Sequence, residues 1–255
     1  MIILKNVLVI FGGASSEYEV SLRSSASVLR NINREKYNVY TLGITKDGRW
    51  LFYDGDIDSI ENNSWAEKNT VSAIISPDKS EKSLLVFKGE NIEKIKIDII
   101  FPVMHGKNGE DGTIQGIFEM ADIAYVGCTP LAGAMCMDKA ITNTICDAAG
   151  IPQAKGVAFT KDELDNNKVD LKSAVDYLKF PIFVKPANAG SSVGITKAHN
   201  EEELIEIDIL DIFRHLRKYL VWIVICGIIG GMVVGITTKL TENDMHESTS
   251  KLFVQ

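Results

Sequence analysis

The chain has 255 residues, 45% of them hydrophobic and 24% charged, an ordinary globular mixture long enough for two modest domains. Its formal charge of −7 is spread without a basic stripe, which excludes nucleic acid as the natural partner and favours small-molecule chemistry. Four cysteines, Cys128, Cys136, Cys146 and Cys226, show neither C-x-x-C spacing nor a His-rich companion, which argues against zinc and against a disulfide framework and predicts buried or lipid-facing thiols.

The N-terminus is apolar but too short and too plain for a signal peptide, and VLVIFGG (residues 7–13) reads as a buried strand ending in a glycine turn. SLRSSASVLRNI then places Leu22, Ala26 and Leu29 on one helical face, completing a strand-turn-helix unit. YNVYTLGIT is a second strand, KDGRW carries a D-G turn, and LFYD completes a hairpin. IDIIFPVMHG is another apolar run ending in a loop, and TIQGIFEMA resumes helical spacing. Strands alternating with helices predict a mostly parallel sheet covered on both faces, with ligands at the carboxyl ends of its strands. The glycine loops fall at those ends.

From about Pro130 the pattern changes to a helix, MDKAITNTICDAAG, closed by Gly150, then a strand, a helix, and two strands in FPIFVKPANAGSSVGITKA joined by a small-residue loop. This reads as the start of an α+β unit. Residues 220–236, LVWIVICGIIGGMVVGI, carry no charge. With one flanking residue before and two after, a helix here reaches about 30 Å, the thickness of a hydrocarbon core; a buried core helix is the alternative. Arg214, Arg217 and Lys218 precede the span, so the positive-inside rule places the N-terminal part in the cytoplasm. Gly227, Gly231 and Gly235 recur every fourth residue and would let a second helix approach, making a homo-oligomer through this face.

Three loops carry chemistry. FGGASSEYEVS presents Glu17 and Glu19 beside a helix N-terminus, one carboxylate to cap and the other to hold a substrate ammonium. HGKNGEDGTIQG (residues 105–116) combines close-approach glycines with His105, Glu110 and Asp111; ligand orientation and plain helix capping both fit that composition. VKPANAGSSVG sets Lys185 at a strand end before Gly190, Ser191 and Ser192, a reasonable phosphate cradle that lacks the G-K-[ST] order of a Walker loop.

In this order, FGGASSEYEVS, HGKNGEDGTIQG, MDK and VKPANAGSSVG resemble the successive motifs of the D-alanine–D-alanine ligases of the ATP-grasp superfamily, over residues 1–204. The wording FPVMHGKNGEDGTIQGIFE resembles the vancomycin-resistance type, which includes D-alanine–D-serine ligases. The resemblance implies ATP-dependent phosphorylation of one D-alanine and attack on the acyl phosphate by a second amino acid, for peptidoglycan precursors. It implies that Glu17 binds the first ammonium and His105 lines that subsite. Lys139 and Lys185 would contact ATP phosphates, with Gly190, Ser191 and Ser192 in the covering loop and Ser191 also orienting substrate. The family's magnesium ligands, adenine hinge and intermediate-stabilising arginine are not recognised after Leu204. From there the chain resembles the N-terminus of polysaccharide chain-length determinant proteins.

The resulting expectation is an α/β chain. A Rossmann-like domain occupies residues 1–128, and a truncated ATP-grasp α+β subdomain residues 129–204. An amphipathic segment (205–218), a transmembrane helix (219–238) and the start of an extracytoplasmic segment (239–255) follow. As a function, this is a truncated D-alanine–D-alanine or D-alanine–D-serine ligase using ATP and magnesium, inactive alone and held in the membrane by a single pass. The alternatives are a membrane-anchored polysaccharide-assembly protein with a captured binding module, or a fusion without function.

Overall fold

The structure, a computed structural model, describes residues 4–204 apart from 69, 167, 189 and 191–193. The chain divides into two compact units, one of Met1–Leu178 with Val184–Ile195 and the other of Lys179–Phe183 with Thr196–Gln255.

Strand β1 (Lys5–Gly12) runs through the centre of the first unit, and its sequence explains why. Val7, Val9 and Phe11 point to one side and Leu8 and Ile10 to the other, and all five are buried. A strand with no polar face needs cover on both sides. Helix α1 (Tyr18–Asn31) covers the first side with Leu22, Ala26 and Leu29. Leu22 and Leu29, together with Trp65 and Tyr53, form one core cluster around Val7, Val9 and Phe11. Helix α3 (Thr113–Met120) covers the second side, bringing Ile114 and Phe118 to a cluster with Leu8, Ile10 and Ile100.

Strand β2 (Tyr37–Ile44) pairs parallel with one edge of β1, in the register Val7 to Val39. Strand β7 (Ile99–Val103) pairs parallel with the other, Val7 opposite Ile99, and β8 (Ala124–Tyr125) extends the sheet beyond it. The chain therefore leaves β1 in one direction through α1 and leaves β7 in the other through α3. Two loops diverge where β1 and β7 end side by side, and that divergence opens a crevice at their carboxyl ends.

The expected mostly parallel sheet is only half of the observed one. Strands β3 (Trp50–Tyr53), β4 (Thr70–Ile75), β5 (Ser83–Lys88) and β6 (Asn91–Lys96) continue it antiparallel, giving the order β6-β5-β4-β3-β2-β1-β7-β8 among the described residues. For three of these four pairings the reason is connection length: residues 45–49, 76–82 and 89–90 are all that join β2 to β3, β4 to β5 and β5 to β6, while the longer link from β3 to β4, residues 54–69, holds the five-residue helix α2 (Ile57–Glu61) and a single 3-10 turn, Trp65–Glu67. A parallel crossover needs about a dozen residues.

Helices α4 (Pro130–Met137) and α5 (Lys139–Ala148) follow, joined at Asp138, whose carboxylate caps α5 by accepting from the backbone N–H groups of Ala140 and Ile141. Gly150, at φ +69°, ends α5 in the left-handed conformation expected of a closing glycine. Cys128 and Cys136 are exposed and Cys146 half-buried, so the expected burial of these thiols is corrected; the first two sit on a surface loop and on the open side of α4. Helices α6 (Lys161–Asp165) and α7 (Leu171–Leu178) complete the first unit's helices. In the second unit β9 (Ile182–Val184), whose last residue belongs to the first unit, pairs with β10 (Thr196–Ala198), the two strands expected in this stretch.

Residues 205–255, where the amphipathic segment and the membrane helix were expected, lie outside the described residues. Among the described residues no helix is long and apolar enough to cross a membrane.

Candidate active site

The loop after β1 reaches the crevice first. Gly12 turns the chain at φ +84°, where a Cβ would lie 2.1 Å from the Ile44 carbonyl oxygen, so the position has room only for hydrogen. Ser21 anchors the turn from α1. Its hydroxyl accepts from the Gly12 N–H at 2.8 Å and donates to the Val103 carbonyl, joining α1 to the ends of both central strands. Glu17 is thereby delivered to the crevice, 8% exposed. It occupies the cap position of α1, yet its side chain makes no capping bond.

Two glycines from distant parts of the chain wall in its carboxylate. A Cβ on Gly106 would lie 3.0 Å from Glu17 Oε1, and one on Gly190 would lie 2.5 Å from the same oxygen. Glu17 also lines a cavity of about 530 Å³ with Ser15, Lys46, Lys107, Asn188 and Gly190. All of these residues belong to the first unit. Glu19 faces elsewhere and pairs with Lys46, whose ammonium holds the Glu19 carboxyl below the usual carboxylate range. Lys46 also stands 5.2 Å from the centre of the Tyr18 ring.

The loop after β7 is held by its own acidic residues. Glu110 accepts from the Gly106 N–H at 2.8 Å, and Asp111 accepts from Asn108 N–H at 2.8 Å and Thr113 N–H at 3.0 Å. Partial burial pushes the Asp111 carboxyl up, but these N–H donors outweigh it and hold the group below its ordinary value. Asp111 thus reaches the first N–H of α3, while Glu110 bonds within the loop. Gln115 completes the loop from α3, donating to the Gly109 carbonyl at 2.7 Å.

His105 sits in this loop but is not part of the cavity wall; its ring faces Ser24 of α1 at 3.2 Å. Lys139 lies at the start of α5, and both its backbone N–H, at 3.1 Å, and its ammonium, at 3.4 Å, reach the Ala187 carbonyl in the loop that Lys185 opens. Lys185 is exposed at the start of this loop and Gly190 stands at its far end. Ser191 and Ser192 lie outside the described residues. The structure thus brings Glu17 and Gly190 together directly, and ties Lys139 to the Lys185–Gly190 loop through Ala187. Lys46, Lys107 and Asn188 line the cavity without having been expected there. The available signal was position: Lys46 follows β2 at the same sheet end, and Lys107 and Asn188 lie inside the two glycine-containing loops that Glu17 meets.

Comparison with known proteins gives two family matches, D-ala D-ala ligase N-terminus over residues 6–128 and D-ala D-ala ligase C-terminus over residues 145–247. A D-alanine–D-alanine ligase of Acetivibrio thermocellus is 48% identical over 233 residues, covering 85% of this chain and 61% of that protein. One from Thermoanaerobacter sp. (strain X514) is 46% identical over 200 residues, 78% of this chain and 55% of that protein. Among solved structures, the VanG D-Ala:D-Ser ligase from Enterococcus faecalis matches with TM-score 0.72 and 43% identity over 80% of this chain and 58% of that one. The D-alanine–D-alanine ligase from Coxiella burnetii gives 0.69 and 26% identity over 82% and 60%. The chain spans less than two thirds of the length of these relatives.

These matches correct the reading of residues 205–247. The ligase C-terminal model runs on to residue 247, across 205–218 and 219–238, so the segment read as the start of a chain-length determinant aligns with the ligase itself. The transmembrane helix, the single-pass membrane localisation with a cytoplasmic N-terminal part, and the polysaccharide-assembly and fusion alternatives rested on that segment and are withdrawn. A truncated, inactive ligase is likewise unsupported. The physical source of the error is that an unbroken apolar run has no period, and without a period a membrane span and a buried core element look alike. The fold is the mixed α/β, ATP-grasp-type fold of these ligases, without a membrane helix among the described residues. By the two family matches, and by the 48% identity carried over 85% of its length, the chain belongs to the D-alanine–D-alanine ligase family.

Proposed function

We propose that this chain performs the part of D-alanine–D-alanine ligation that captures the first D-alanine and presents its carboxylate for phosphorylation. The observation that carries the reading is the Glu17 carboxylate, nearly buried, walled by Gly106 and Gly190, and lining the 530 Å³ cavity. A small zwitterion fits such a place: its ammonium meets a carboxylate in a partly dry site, where a charge-assisted hydrogen bond is strong. The second amino acid is D-alanine or D-serine.

ATP, which would supply the phosphoryl group, fits the residues near the Lys185–Gly190 loop. Lys139 and Lys185 would hold its phosphates there. Among the described residues no group of three His, Cys, Asp or Glu side chains comes together to hold a metal ion, so magnesium, which the family uses with ATP, has no ligands assigned among them.

The test is binding. Titration calorimetry on the full chain should detect D-alanine, with L-alanine weaker, and Glu17→Gln should weaken D-alanine at least about tenfold, the loss of one charged hydrogen bond. Equal affinity of Glu17→Gln and the unmodified chain would overturn the reading.

A further inference from the structure

His105 is aimed away from the cavity that its neighbours line, and both of its ring nitrogens face protein groups. Nε2 lies 3.2 Å from the Ser24 hydroxyl on α1. Nδ1 lies 3.8 Å from Glu110 Oε1, while the other oxygen of that carboxylate accepts the Gly106 N–H at 2.8 Å. The negative charge beside Nδ1 favours the ring proton on that nitrogen, and the Ser24 hydroxyl, free to rotate, then donates to the lone pair on Nε2. The two other serines of this helix face are used differently: Ser21 donates to the Val103 carbonyl and Ser25 to the Leu22 carbonyl, 3.0 Å away. Only Ser24 of the three turns to a side chain in the glycine loop.

We infer that Ser24 and His105 are a positioning pair, His105 held as the Nδ1–H tautomer, which fixes the loop after β7 against α1 and so sets the cavity wall opposite Glu17. The leverage comes from tight spacing. Gly106, next to His105, already approaches so closely that a Cβ there would lie 2.9 Å from Ser15 Oγ and 3.0 Å from Glu17 Oε1. A shift of a few tenths of an ångström in this loop changes the space around the Glu17 carboxylate.

The consequence for D-alanine rests on the function proposed above, whereas the tautomer does not, so the experiment reads both. Long-range ¹H–¹⁵N spectra of the full chain at about pH 8, where an ordinary imidazole is neutral, resolve the ring nitrogens of its 4 histidines, and loss of signals in His105→Asn assigns His105. The unmodified chain should show His105 as Nδ1–H. Ser24→Ala, which removes the donor to Nε2, should shift the Nε2 resonance and raise the D-alanine Kd by about tenfold, while Ser24→Thr, which keeps the hydroxyl, should restore both. An Nε2–H ring in the unmodified chain, or a ring spectrum unchanged by Ser24→Ala, overturns the pairing. A changed ring with an unchanged Kd overturns its role in setting the wall. If the unmodified chain binds no D-alanine, the ligase reading fails and the ring spectrum still decides the pairing.

Discussion

Gly190 and Glu17 come together so closely that a methyl group on the glycine would stand 2.5 Å from Glu17 Oε1. No carbon and oxygen rest at that distance, so Gly190→Ala must push the carboxylate aside. Because the obstructing atom ends a flexible side chain, the fold should absorb the change. D-alanine affinity should fall about tenfold, about 1.4 kcal/mol, with the melting temperature nearly unchanged. Calorimetric titration paired with a thermal melt checks it, and a large drop in melting temperature would show that Gly190 matters to the fold.

A glycine in the core should behave in the opposite way. A Cβ on Gly43 would lie 2.3 Å from the Trp65 ring and 2.8 Å from Phe11, and both aromatic side chains are buried. The rings are locked together edge to face, Phe11 and Trp65 with centroids 4.8 Å apart. Neither can retreat. Gly43→Ala should cost about 1–3 kcal/mol through overpacking, read as a lower urea midpoint with an unchanged slope.

Ser21 is 0% exposed and serves the N–H of Gly12 and the carbonyl of Val103 at once. Ser21→Ala strands both groups away from water. The expected loss is about 1–3 kcal/mol, measured by urea unfolding, and Ser21→Cys should not recover it, because a thiol is a weak donor and acceptor. A neutral result for Ser21→Ala would mean that water has replaced the hydroxyl.

Tyr125 donates to Glu119 Oε1 at 2.7 Å. Burial, then that bond and the Glu119 charge, push its phenol up to about 12. The folded chain thus keeps this proton longer than the unfolded chain, whose tyrosines titrate near 10. The resulting stabilisation is complete below about pH 10 and is lost as pH rises through about 12. Absorbance titration at the tyrosinate band should show a late phenol that is absent in Tyr125→Phe; ionisation of Tyr125 in the ordinary range would contradict the assignment.

Among residues 131–178 with described burial, only Gly133 is buried, whereas β1 is buried from Val7 to Gly12. Ile141 and Ile145 of α5 are 47% and 38% exposed. Helices with so little buried surface open easily. Amide exchange should be slow through β1 and β7 and fast in α5 and α7; equal protection would show that these helices have another covering in solution.

How much of this was legible in the sequence depended on range along the chain. The unbroken apolar run of β1 and the spacing of Leu22, Ala26 and Leu29 are local patterns, and burial on both faces of one and on one face of the other follows from strand and helix periods alone. The turn at Gly12 and the closure of α5 at Gly150 were equally local, since only glycine adopts those φ values cheaply. The order of the motif loops was sufficient to identify the ligase family. The apolar run of residues 220–236 had no period, and it misled in the direction of a membrane. Tertiary structure alone decided that Glu17 leaves its helix cap to sit between Gly106 and Gly190, that His105 turns to Ser24, and that Lys46, Lys107 and Asn188 line the cavity. Those facts depend on which strand ends lie side by side, β1 next to β7 rather than next to a later strand. Pairing between distant segments is set by the packing of the whole core, and no local period in the chain encodes it.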